Sequence, residues 1–224
     1  MGLAVERAAA LRGHEIVLRK TSSNSYDGLE MADVAIDFSI PTAAVVNITT
    51  ALNTGIPVIS GTTGWLEDYE IIAKQCEDLG GAFLYASNFS LGVNLFFGLN
   101  EYLAGLMAGF PEYRVAMQEI HHTRKLDAPS GTAITLAKAI IDRSDYSSWA
   151  LEATRPDEIQ IQAIREADVP GTHAVRYTSS VDSIEIKHTA HNREGFALGA
   201  IVAAEWIYGK KGIFSMKDVL GLVR

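Results

Sequence analysis

The segment Glu119-Ile-His-His-Thr-Arg-Lys-Leu-Asp-Ala-Pro-Ser-Gly-Thr132 concentrates the side chains of this sequence that could do chemistry. His121 and His122 are adjacent, Lys125 follows three or four positions on, and Asp127-Ala-Pro-Ser-Gly-Thr132 reads as a tight loop opening a helix. Histidine titrates nearest to neutral pH, so one of the pair can deliver a proton while lysine neutralises an anion. Ser130, Gly131 and Thr132 at a helix N-terminus would turn backbone N–H groups and hydroxyls outward at the positive end of the helix dipole, which suits a carboxylate. A proton donor beside an anion cradle is what reduction of a negatively charged imine or enamine requires. Paired histidines alone are as readily surface or core bystanders, and it is the neighbours that favour chemistry.

Other chemistries fit less well. A zinc site would need a third ligand from His173, His188 or His191, and neither a His-x-x-x-His spacing nor a cysteine ligand supports it, so no metal is expected. Hydrolysis through Ser130 would need a Gly-x-Ser-x-Gly elbow, which Ala-Pro-Ser-Gly-Thr is not. Three further loops carry a different signal. Gly61-Thr62-Thr63-Gly64 follows an apolar run, and its glycines let a backbone approach a flat ring or a phosphate; a plain strand-to-helix turn is the alternative. Ala86-Ser87-Asn88-Phe89 and the loop of Asp37, Phe38, Ser39 and Pro41 stand at equivalent strand ends, and the three together suggest a cofactor crevice. In His188-Thr-Ala-His-Asn-Arg193, Arg193 either offers a fork to a carboxylate or belongs to a solvated turn.

The elements that must position these groups follow from apolar periodicity. The helix-like residues 3–12 end at Gly13, and residues 15–18 and 33–38 read as strands. Pro41 opens a helix over 42–54 that Gly55 closes; residues 57–60 form a strand, 67–79 a helix and 82–86 a strand. Strands alternating with helices at this spacing imply parallel units and a doubly wound sheet. Beyond residue 92 the rhythm changes: a long helix (92–107), a strand (113–121), a helix (131–142), then strands at 158–164, 173–178 and 182–188 whose period of two suggests an antiparallel sheet. A helix over 196–208 and the tail 213–223 are expected to return to the first domain. The fold class is therefore α/β: a Rossmann-type domain (residues 1–92 and 194–224) and an α+β domain (93–193) whose mixed sheet is largely antiparallel. Val175, Tyr177, Ile184 and Ile186 alternate along two of its strands, and a face of the sheet left uncovered by helices would seek a partner subunit.

Composition limits the partners. The 224 residues are 48% hydrophobic and 21% charged with a net charge of −8, which offers no broad basic field for nucleic acid. No stretch approaches the ~18 uninterrupted apolar residues of a membrane helix. The single cysteine, Cys76, suits a reducing compartment, and the first twelve residues lack the apolar core of a signal peptide, so a cytoplasmic protein is expected.

With these segments in order, the sequence resembles the 4-hydroxy-tetrahydrodipicolinate reductase (dihydrodipicolinate reductase) family of the diaminopimelate route to lysine. The resemblance is carried by Asp37-Phe-Ser, Gly61-Thr-Thr-Gly64, Ala86-Ser-Asn-Phe-Ser-Leu-Gly-Val-Asn94, Pro170-Gly-Thr-His173 and above all Glu119-Ile-His-His with Lys125-Leu-Asp-Ala-Pro-Ser-Gly-Thr-Ala133. It implies NADH or NADPH as hydride source, a cyclic dicarboxylate as substrate and a homotetramer. It also implies His121 as proton donor with Lys125 assisting, His122, Gly131 and Thr132 on the substrate, and residues 61–63 and 86–89 on the cofactor. Two departures stand out. The family opens with a strand and a Gly-x-x-Gly-x-Met-Gly loop, of which only Met1-Gly2 is expected here, so a fragment or a subunit with impaired cofactor binding competes with the active reductase, as does another two-domain Rossmann dehydrogenase. Arg19-Lys-Thr-Ser-Ser23 stands where an acid would hold the ribose hydroxyls, which should tolerate a 2′-phosphate.

Overall fold

The computed structural model describes residues 1–192 and 194–222. The chain divides into two compact units, Met1–Asn94 with Glu194–Arg224, and Leu95–Arg193.

In the first unit, helix α1 (Gly2–Leu11) is followed by β1 (Ala35–Asp37), α2 (Pro41–Asn53), β2 (Val58–Ser60), α3 (Tyr69–Asp78) and β3 (Ala82–Tyr85). Helix α4 (Leu91–Met107) leads out of it. Pro41 occupies the first turn of α2, where its missing N–H costs nothing, and Gly13 and Gly55, at φ +84° and +79°, close α1 and α2 in the left-handed region. The strands β1, β2 and β3 pair in parallel. Alternate strand residues feed two cores: Ile59 and Leu84 pack on the α1 side, Val58 and Phe83 against α2 and α3. Both faces are covered, which is why these strands read as unbroken apolar runs.

Residues 15–18, expected as a strand, form none. Glu15, Ile16 and Val17 are exposed, and no strand among the described residues pairs with them. A strand is stabilised by its neighbour's hydrogen bonds and side chains, so a short apolar run without one stays irregular.

The second unit continues with β4 (Arg114–His121), α5 (Gly131–Ile141), β5 (Ser148–Ala150), β6 (Glu158–Arg165), β7 (Gly171–Thr178) and β8 (Ser183–Ala190). Its five strands lie in the order β5-β6-β4-β7-β8. Pairings β4–β7 and β7–β8 are antiparallel, whereas β6 runs parallel to both β4 and β5. The sheet is mixed in equal parts because alternation reports which face is buried and not which strand is the neighbour. Helices α4 and α5 cover one face, with Leu103, Met107, Leu136 and Ile140 packed on Val115, Met117, Ile159, Ile161, Val175 and Tyr177. Val175 and Tyr177 therefore lie under the helices, with Ile186 packed beside them and Ile184 paired opposite Tyr177. The four alternating residues mark the covered face, not an outer one. The other face carries polar pairs such as Gln118–Gln162 and Arg176–Glu185.

The chain then returns to the first unit through α6 (Glu194–Ile207), β9 (Gly212–Phe214), which pairs in parallel with β3, and α7 (Met216–Val219). Helix α6 packs so closely on the chain after β3 that a Cβ on Gly199 would lie 1.7 Å from the Phe89 carbonyl oxygen. Arg12 forks onto Glu205 with two bonds of 2.7 Å, and His14 reaches the same carboxylate at 2.8 Å, tying α1 to α6. No helix among the described residues is long and apolar enough to cross a membrane.

Candidate active site and nucleotide-binding edge

On the helix-covered face of the second unit, the period of two along β4 runs Val115, Met117, Glu119, His121, so two core residues are followed by two ionisable ones. Register places His173 of β7 opposite Glu119 and Arg165 of β6 beside His121. The apolar core ends and a polar cluster begins at one level of the sheet, under the first turn of α5. Ser130 caps that helix, its Oγ accepting the Ala133 N–H at 3.2 Å.

Glu119 is fully buried (0% exposed) and organises the cluster. Its Oε2 accepts the Ser130 N–H at 3.0 Å and lies 3.7 Å from His121 Nδ1 and 3.8 Å from His173 Nε2, while Arg165 Nη1 reaches Oε1 at 3.4 Å. Ser130 Oγ is 3.1 Å from His173 Nε2, and the two imidazoles meet edge to face with centroids 5.0 Å apart. Arg165 also donates to the carbonyl oxygens of Lys125 (3.3 Å) and Asp127 (2.6 Å), which fixes the loop. Lys125 Nζ is paired with the Asp127 carboxylate at 2.7 Å. Close packing is part of the design: a Cβ on Gly171 would come within 3.3 Å of His121 Nε2.

Burial holds the proton affinity of His121 down, with Lys125 and Arg165 acting in the same direction and Glu119 and Asp127 against it. His173 is pushed down to about 4, by burial first and then by His121, so it is neutral at physiological pH. The hydrogen bond from Lys125 holds Asp127 below the usual carboxylate range. Ligand-type atoms of Glu119, His121 and His173 lie within 4.8 Å of one another. Both carboxylate oxygens are already engaged, by Ser130 and Arg165, so this set reads as a hydrogen-bonded charge network rather than as metal ligands.

The structure brings together His121, His122, Lys125, Ser130, Gly131 and Thr132 around one strand end and one helix start. His121 is buried, His122, Lys125 and Thr132 are half-buried, and Gly131 is exposed with open space where a Cβ would be. Ser130 is engaged within the protein, its N–H by Glu119 and its hydroxyl by His173 and the Ala133 N–H. Arg193 lies outside the described residues. Sequence reading left Glu119, Asp127 and Arg165 without a role, and considered His173 only as a metal ligand. The signal for Glu119 and His173 was the covered-face periodicity, which places a charged residue and a histidine on core-facing positions.

In the first unit, Phe38–Ser39, Gly61–Thr63 and Ala86–Phe89 follow the carboxyl ends of β1, β2 and β3 and so share one edge of the parallel sheet, the edge at which such sheets bind nucleotides. The buried carboxylate of Asp37 holds two of the loops together. It accepts from Ser39 Oγ (2.7 Å), Asn47 Nδ2 (2.8 Å), Ser60 Oγ (2.9 Å) and Thr62 Oγ1 (2.7 Å), and Thr62 Oγ1 in turn accepts the Ser39 N–H at 2.8 Å. The Phe38 ring occupies the space a side chain at position 61 would fill, since a Cβ on Gly61 would come within 2.1 Å of it, and the ring meets Phe89 edge to face at 5.5 Å. Of the expected cofactor residues, the Thr62 hydroxyl is spent on Asp37 and Ser39, and the Phe89 side chain is buried in the α6 core. Phe38, Ser39, Gly61, Thr63, Ala86, Ser87 and Asn88 are exposed or half-buried at the edge, and this set, an aromatic ring with hydroxyl, amide and backbone groups, suits a nicotinamide dinucleotide. Arg19 forks onto Glu6 of α1 at the surface, and Lys20 lies 4.8 Å over the Tyr26 ring.

Comparison with known proteins gives these two sites a common context. A "4-hydroxy-tetrahydrodipicolinate reductase" of Christiangramia forsetii is 54% identical over 98% of this chain and 93% of its own length. One of Methanosarcina barkeri is 40% identical over 85% and 74%. The solved structure of a dipicolinate-bound dihydrodipicolinate reductase from Paenisporosarcina sp. TG-14 superposes with a TM-score of 0.77 over 96% of this chain and 92% of that one, at 21% identity, and so shares the fold. The family models "Dihydrodipicolinate reductase, N-terminus" and "Dihydrodipicolinate reductase, C-terminus" match residues 3–89 and 92–220, and the chain belongs to the dihydrodipicolinate reductase family.

Proposed function

We propose that this chain is a 4-hydroxy-tetrahydrodipicolinate reductase, reducing its cyclic dicarboxylate substrate to tetrahydrodipicolinate with NADPH or NADH, and that His121 is its proton donor. The nicotinamide supplies the hydride. The observation that carries the reading is His121 itself: a buried imidazole at the end of a central strand, beside Lys125 and the opening turn of α5. Lys125, parked on Asp127, neutralises substrate charge as it exchanges that partner for a substrate carboxylate. His122, Gly131 and Thr132 hold the substrate carboxylates at the head of α5, where helix N–H groups and dipole favour an anion, and Arg193 adds a cation. Phe38, Ser39, Gly61, Thr63, Ala86, Ser87 and Asn88 line the cofactor in a domain of residues 1–92 and 194–224, while 93–193 form the substrate domain. The working form is a cytoplasmic homotetramer.

The test is oxidation of NADH and NADPH by the purified protein with freshly generated substrate. His121→Gln should lower kcat by about 10²–10⁴-fold and change KM only a few-fold. A kcat within a few-fold of the unmodified enzyme removes His121 from the role. Light scattering that gives a 24.3 kDa monomer removes the tetramer.

A further inference from the structure

We infer that Glu119 is the positioning residue of this site: one buried carboxylate whose charge supports His121 as the acid and whose hydrogen bond fixes the head of α5 beside it. The inference rests on His121 being the proton donor. A carboxylate withdrawn completely from water is retained only where charge and hydrogen bonds replace its hydration, so each partner of Glu119 matters. Its two oxygens divide the work. Oε1 faces Arg165, which ties the loop through the carbonyls of Lys125 and Asp127. Oε2 faces three groups at once: the Ser130 N–H, His121 Nδ1 and His173 Nε2.

The two imidazoles are not equivalent partners. At 3.7 and 3.8 Å both lie beyond hydrogen-bond length, so what Glu119 offers each is the field of a negative charge, worth most when the ring carries a proton. His173 is held neutral and bonded to Ser130, which leaves His121 as the ring whose cation Glu119 supports. Around His121 stand Glu119 on its own strand, Arg165 on β6, His173 on β7 with His188 behind it on β8, and Lys125 and Asp127 on the loop. Lys125 and Arg165 oppose a proton on His121, so Glu119 is the buried charge that counters them.

A merely structural Glu119, capping α5 and neutralising Arg165, makes a different forecast. Glu119→Gln keeps the shape and an oxygen for the Ser130 N–H but removes the charge. If Glu119 supports the acid, the alkaline limb of the kcat/KM profile moves to lower pH by about one unit, since a less stabilised imidazolium loses its proton earlier. Turnover at pH 8 then falls about tenfold while substrate KM changes little. A limb that stays in place, or a loss confined to KM, overturns the inference. His121→Gln measured alongside separates the two claims: if it stays active, the proton-donor reading and this inference fall together; if it is inactive and the Glu119→Gln limb is unmoved, the inference alone falls. Should Glu119→Gln not fold, Glu119→Asp keeps the charge but draws it one methylene back from the ring; the limb should move to lower pH by a smaller step, and an unmoved limb refutes the proposal.

Discussion

Asp37→Ala tests whether the cofactor edge is prebuilt by one carboxylate. Four side-chain donors converge on Asp37, and they differ in what they can do without it. Ser39 is exposed and Asn47 half-buried, so water can replace the lost acceptor for both. Ser60 and Thr62, at 0% and 5% exposure, cannot rehydrate. Stranding a buried donor costs about 1–3 kcal/mol, so the two together should cost about 2–6 kcal/mol, a large share of the roughly 5–15 kcal/mol that holds a domain folded. Asp37→Asn, which keeps an acceptor oxygen and lets the hydroxyls reverse, should lose about half as much or less. Trp65 is a built-in probe, because its Nε1 donates to the Thr62 carbonyl at 2.6 Å. Urea unfolding followed by its fluorescence should show a lower midpoint with unchanged slope, and nicotinamide affinity should fall in parallel. A loss below about 1 kcal/mol for the alanine variant, with intact cofactor binding, would refute the view that these bonds organise the loops.

Two further outcomes follow from the first unit. Gly199→Ala places a methyl group against the Phe89 backbone, which has no rotamer to escape into, and should cost about 3 kcal/mol or more; a thermal midpoint equal to that of the unmodified protein would show that α6 can shift. Glu205, held down to about 2 by Arg12 first and then His14, has its folded value below its free value of 4.5, so its contribution is complete above pH 4.5 and is lost as pH falls toward 2. Glu205→Gln should therefore lower the thermal midpoint at pH 7 by a modest amount, screened by salt, and the gap should close on acidification; a gap independent of pH would assign the effect to shape instead of charge.

The elements that were legible in the sequence are those whose signal is local. Pro41 and Gly55 bracket α2, and Ser130 caps α5, because the fixed φ of proline, the tolerance of glycine for the left-handed region and the capping hydroxyl of serine act within a turn whatever lies around them. The apolar runs at 58–60 and 82–85 announced strands buried on both faces. What depends on neighbours was not legible. Residues 15–18 have strand-like composition and no strand beside them. The place of β4 between β6 and β7 is a long-range choice that no alternation encodes. In the site, the histidines and Lys125 could be named from residue type and spacing. Arg165 and His173 could not, since they reach Glu119 and Ser130 only through β6 and β7 registers, across 46 and 43 residues of chain.

The placement of β4 also divides the site by timescale. A central strand with hydrogen-bonded neighbours on both sides exchanges its amides only when β6 or β7 peels away, so it belongs to the slowest-opening part of the unit. Glu119 and His121 stand on that strand. His122, Lys125 and Asp127 stand at or beyond its end, on a stretch held to the body by Arg165 and by the turn from the Lys125 N–H to the His122 carbonyl. On the proposed function, proton donation is thus mounted on the slowest-opening part of the unit and charge capture on the stretch beyond it. In that reading the loop to which Lys125 belongs can shift by loosening a few bonds to Arg165 and Asp127, while the place of His121 stays as the sheet sets it.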